Sequence, residues 1–97
     1  MAALACLATV VVAQTTGQAL LDDLSRKAFD YFWNESHPTT GFTKDRSNNK
    51  NPDSFNVSSA AATGFALTAY AIGAERGWVT RDAALTRARN TAVQLAT

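Results

Sequence analysis

Apolar and polar positions alternate at helical steps in two parts of this chain, and apolar residues run almost unbroken in two others. Over residues 18–34, Leu20, Leu21, Leu24, Ala28, Tyr31 and Phe32 recur at three- and four-residue intervals, the spacing of one helical face. Thr16 is placed to cap this helix, and Asp22 and Asp23 sit early, where the helix dipole favours anions. His37-Pro38 closes the segment, because a residue before proline is biased out of the α region.

Residues 59–76 predict a second helix with little polar surface: Ala60, Ala61, Ala62, Phe65, Ala66, Leu67, Ala69, Tyr70, Ala71, Ile72 and Ala74 leave only a few polar positions. A helix apolar nearly all round is a buried one. Gly64 and Gly73 inside it each cost about 1 kcal/mol against alanine, tolerable where a neighbouring helix approaches closely. Ser58 or Ser59 caps the start, and Gly77 ends it by accepting the left-handed conformation at C′. Trp78-Val79 turns the chain, and Thr80 caps a third helix over residues 81–95. Its stripe is Ala84, Leu85, Ala88, Ala92 and Leu95, and Val79 is placed to staple against Ala84. The pattern predicts an all-α chain of about three helices.

The first two helices are separated by residues 35–57, ESHPTTGFTKDRSNNKNPDSFNV. A connection of this length within a compact domain is uncommon and is usually functional or disordered. Phe42 and Phe55 are expected to anchor its two ends.

Residues 1–13 (MAALACLATVVVA) are too short to span a bilayer as a helix, which needs about 20 residues. They resemble the apolar core of a secretory signal, with Val11 and Ala13 as small residues before a cut at Gln14. Export is therefore expected, with residues 14–97 as the mature part. Cys6, the one cysteine, falls inside this segment. No internal disulfide or cysteine metal site follows. Nine basic and eight acidic residues give a net charge of +1. Without a basic cluster, nucleic acid is not an expected partner.

The candidate chemistry is sparse. Asp45-Arg46 puts a carboxylate beside a guanidinium, groups that accept from and fork onto sugar hydroxyls or pair locally to pin the loop to a helix end. His37 is the one histidine and reads as a solvated helix-ending residue. Glu35, Asp45, Asp53 and Glu75 are the carboxylates available for a glycosidase-type pair. For Glu75 the competing reading is an ion-paired helix end. Tyr31, Phe65 and Tyr70 read as core. Trp33 and Trp78 either face a cleft or cover helix ends.

Three segments together resemble a known family: LDDL through FDYFW over residues 21–33, GFTKDR over residues 41–46, and ATGF through GAERGWVTR over residues 62–81. In this order they are similar to the N-terminal part of the bacterial glycoamylase-like family, which includes endo-β-1,2-glucanases. The resemblance implies a toroid of paired helices, six inner and six outer, in an exported hydrolase acting on a β-glucan without metal or organic cofactor. It implies a substrate-contact role for Asp45 and Arg46, and catalytic acids further along than this sequence reaches. On that reading the second helix belongs to an inner ring. The three helices by themselves leave much of it exposed, a loss at about 25 cal/mol per Å² that is large beside a net stability of about 5–15 kcal/mol. Two other readings compete: a complete small exported three-helix module that binds a glycan or protein, and part of a toroid lyase or non-hydrolytic glucan-processing domain.

Overall fold

The structure, a computed structural model, describes the backbone of residues 2–97 and the side chains of residues 16–97 apart from Pro52. The expected export segment, residues 1–13 with Cys6, lies outside the residues whose side chains are described. The chain is all-α: α1 (Ala2–Asn34), α2 (Ala60–Glu75) and α3 (Arg81–Ala96), with a short 3-10 turn at Pro52–Ser54 inside the connection. No strand forms among the described residues; the connection makes two isolated antiparallel bridges, Ser36 with Thr43 and Lys44 with Ser58.

Local chemistry sets the ends of α2 and α3. Ser59 is extended and its side chain accepts from Ala62 N at 3.0 Å; Thr80 does the same for Ala83 N at 3.1 Å. Each satisfies one donor that the first turn leaves without a helical partner. At the end of α2, Gly77 adopts φ +74°. Gly77 N donates to Ala74 O at 3.1 Å and Trp78 N to Gly73 O at 2.9 Å, the pair of bonds of a Schellman motif. Val79 packs against the cluster that contains Ala84, as the staple requires.

The first helix departs from expectation. Thr16 does not cap it, because the helix runs without a break from Ala2 to Asn34. No proline interrupts residues 14–17, and one glycine costs less than abandoning the backbone bonds of a turn. Among the described residues of α1 the buried one is Phe29, 3% exposed and off the predicted stripe. Leu20, Leu21 and Leu24 stay exposed, since the crossing with α2 engages the later part of α1.

Ala66, Tyr70 and Ala84 form the core, with Phe32, Trp33, Leu67, Ala74, Val79 and Ala88 packed around them. Both tryptophans cover helix ends. Trp33 stacks on Phe29 with ring centroids 5.6 Å apart and meets Tyr70 edge-on at 5.4 Å. Trp78 lies 5.4 Å from Phe29, and the guanidinium groups of Arg26 and Arg76 stand over its ring at 5.5 and 5.6 Å. Arg76 also pairs with Asp22 of α1 at 3.3 Å, while Glu75 has no ion pair among the described residues. The reading of Glu75 as an ion-paired helix end is corrected accordingly: the neighbouring arginine turns toward α1.

Tyr70 is 1% exposed, but Phe65, expected in the core, is 68% exposed. The two sit on opposite sides of α2, and α1 and α3 cover only the Tyr70 side. Ile72 and Leu85 are likewise exposed. Much of α2 is thus apolar surface without cover among the described residues.

Candidate functional site

The connection between α1 and α2 is ordered by a buried polar knot centred on Thr43. This residue is fully buried. Its N–H donates to Thr63 Oγ1 at 3.1 Å, its carbonyl accepts from Ser59 N at 3.2 Å, and its hydroxyl meets Ser36 Oγ at 2.8 Å. Ser36 Oγ also lies 2.6 Å from Phe32 O, and Tyr70 OH donates to Ser36 Oγ at 3.1 Å. Thr63 in turn donates to Ser59 O at 2.8 Å. No buried side-chain polar atom among the described residues lacks a partner, so the knot carries little desolvation penalty. It fixes the loop to the last turn of α1 and the first turn of α2.

Sequence reasoning passed over Thr43, Thr63 and Ser36. The available signal was a helix-interior threonine, Thr63, in an otherwise apolar run.

The knot positions the segment of Gly41 to Arg46. Gly41 takes φ +74° and a Cβ there would press on Thr91, 3.1 Å from its Cβ; only glycine suits both demands. His37 is exposed and closes the same turn. Its Nδ1 accepts from Thr39 N and Thr40 N at 3.2 Å each, which places the ring proton on Nε2.

Asp45 and Arg46 lie at the surface beyond the knot. Arg46 Nε pairs with Asp45 Oδ2 at 3.2 Å, and its guanidinium stands 5.4 Å over the Phe55 ring. The pair stays within the loop and does not attach it to a helix end; Asp45 N, bonded to Val57 O at 2.8 Å, ties two parts of the loop together. Phe55 is half-buried, and its ring contact is the cation–π one with Arg46 of the same loop.

A hollow of about 390 Å³ opens beside this segment, walled by Asn34, Glu35, Phe42, Lys44, Asp53 and Asn56. It brings together two of the four carboxylates singled out by sequence, Glu35 and Asp53. Asp45 and Glu75 do not line it; Glu75 stands between α2 and α3 near Arg81. Glu35 is held by Lys44 Nζ at 2.8 Å, and Lys44 N donates to Glu35 O at 3.1 Å. Tyr31 OH donates to Lys44 O at 2.9 Å. Burial and then the carboxylates of Glu35 and Asp45 raise the Tyr31 pKa above the tyrosine norm, Lys44 opposing them. The phenol therefore remains a donor.

The amides and carboxylates of this wall offer donors and acceptors for hydroxyl groups, with the Phe42 ring as an apolar face beside them. Among the described residues no group of three His, Cys, Asp or Glu side chains is placed to hold a metal ion. No helix there is long and apolar enough to cross a membrane.

No protein-family model and no solved structure matches the chain. It is similar to an exo-β-1,2-glucooligosaccharide sophorohydrolase (non-reducing end) of Parabacteroides distasonis, 29% identical over 72 residues, which is 74% of this chain and 9% of that protein. The chain thus spans about a tenth of that relative's length.

Proposed function

We propose that this chain is a segment of an exported, glycoside hydrolase-like protein acting on a β-glucan, and that its three helices are hairpins of an α/α toroid. The loop of residues 35–58 lies at the rim of the substrate cleft, where Asp45 and Arg46 contact sugar hydroxyls. The catalytic acids belong to further helices of the same protein, so the 97 residues alone are inactive. Residues 1–13 act as an export signal.

The similarity to a glucooligosaccharide hydrolase over 72 residues carries this reading. The uncovered apolar face of α2, with Phe65 and Ile72 exposed, supports it, since further helices would bury that face. The hydroxyl-matched hollow beside Asp45-Arg46 supports a sugar-facing loop.

The test is to incubate the full-length protein with β-1,2-glucan and its oligosaccharides and to analyse the products. New reducing ends support a hydrolase. Unsaturated products would replace the hydrolase by a lyase, and no product of either kind would remove both for this substrate.

A further inference from the structure

A second hollow lies on the other side of the residue 36–38 ridge, between the turn of residues 37–41 and α3. It measures about 130 Å³ and its wall includes His37, Thr39, Tyr70, Arg87, Asn90 and Thr91. No aspartate or glutamate lines it.

Arg87 dominates its electrostatics. The guanidinium is half-buried and lies 3.7 Å over the Trp33 ring, and Nη1 donates to the Trp33 carbonyl in the last turn of α1. That bond uses one of the five N–H donors of an arginine. Among the described residues Arg87 has no carboxylate partner, whereas Arg26, Arg46 and Arg76 each have one. Tyr70 OH is already committed to Ser36. The groups left to face a ligand are the remaining guanidinium edge, the Asn90 amide, the Thr39 hydroxyl and the Nε2 donor of His37.

A purely structural role would need less. A cation near the C-terminal end of α1 offsets the helix dipole and accepts a stacking position on Trp33, and a lysine does both. A planar fork held flat on an aromatic ring, with free donors beside a wall lacking acidic groups, is the arrangement that binds an oxyanion through two parallel bonds. We propose that this hollow binds one small oxyanion, a carboxylate or a phosphate group, on Arg87, with Asn90 and His37 as additional donors. The assignment does not depend on the glycan reading above. The same chemistry comes either from a free anion or from an acidic group carried on a saccharide.

The test is calorimetric titration of the full-length protein with inorganic phosphate, acetate and glucuronate, with glucose as the neutral control, at constant ionic strength in chloride. Saturable binding of at least one of the anions, and none of glucose, is expected. Arg87→Lys keeps the cation and loses the fork; Asn90→Asp, at an exposed helix position, adds a carboxylate beside the anion. Each is expected to weaken binding by about tenfold or more, the worth of one charge-assisted bond. Asn90→Asp is also expected to leave the melting temperature in chloride unchanged. Preference for glucuronate over phosphate and acetate assigns the site to an acidic saccharide, and the reverse preference to a free anion. The proposal is overturned if none of the three anions saturates, or if both variants bind the anion as tightly as the unsubstituted protein.

Discussion

Gly73 and Phe29 share one space. A Cβ built on Gly73 would stand 2.7 Å from Phe29 Cζ and 2.8 Å from Cδ2, so the α1–α2 crossing exists because this position of α2 has no side chain. The helix-propensity loss of about 1 kcal/mol at a glycine is offset by the burial of a phenylalanine, worth about 1.5–3 kcal/mol. Gly64, nine residues earlier, has nothing within 4 Å.

The two glycines therefore predict opposite outcomes. Gly73→Ala is expected to destabilise the fold by about 1–3 kcal/mol through overpacking. Gly64→Ala in the 97-residue chain is expected to stabilise it by about 0.5–1 kcal/mol. Chemical denaturation of both variants measures this. In the full-length protein a destabilising Gly64→Ala would show that another helix approaches there.

Thr63 is the acceptor for a fully buried N–H. Thr63→Val keeps the shape of the side chain but leaves the Thr43 amide without a partner, at a cost of about 1–3 kcal/mol. Thr63→Ser retains the acceptor and should recover most of the loss. Amide exchange of Thr43 by NMR reports the bond directly: faster exchange in the valine variant is expected, and unchanged protection would count against the knot.

The phenol of Tyr31 links pH to stability. Its pKa is raised in the folded state by burial and by the Glu35 and Asp45 carboxylates. A group with a raised folded pKa stabilises fully below its unfolded value, about 10 for tyrosine, and loses that contribution as pH climbs through the folded value. Stability should fall with alkaline pH above about 10, and Tyr31→Phe should remove the Tyr31 share of that fall. Following tyrosinate absorbance alongside thermal melts separates Tyr31 from Tyr70.

Asp45 and Arg46 are exposed and their ion pair adds little stability. Arg46→Ala is expected to change the melting free energy by less than about 0.5 kcal/mol. On the proposed function it raises KM for the glucan and leaves kcat unchanged, the pattern of a lost ground-state contact. An unchanged KM would remove Arg46 from the substrate site.

The uncovered face of α2 predicts poor behaviour of the 97 residues alone: a broad thermal transition, dye binding to apolar surface, and concentration-dependent association. Phe65→Gln should reduce association without loss of helix content. A sharp cooperative melt of the unmodified chain would instead favour the complete three-helix module.

Much of the helical framework was legible because it rests on local chemistry. Ser59, Thr80 and Gly77 act on donors and acceptors within one turn of themselves, so their roles follow from neighbouring residues. The predicted span of residues 59–76 accordingly differs by one residue at each end from Ala60–Glu75. Thr16 failed as a cap for the complementary reason: a threonine caps only where the preceding backbone leaves the helix, and nothing nearby forces it to.

By itself the sequence determined three helices and their turns; it marked Gly64 and Gly73 alike for a close approach, and only the packing of Phe29 singled out Gly73. Only the tertiary structure decided which faces of those helices are covered. Hydrophobicity marks Phe65 and Tyr70 alike, but burial depends on where α1 and α3 lie, so one is exposed and the other is core. The loop was likewise undecidable from pattern, because Thr43 gains its partners from Ser36, Ser59 and Thr63, up to twenty residues away. Polar residues that bond across such distances leave no periodic signal, and the site that they hold in place becomes visible only when the chain is folded.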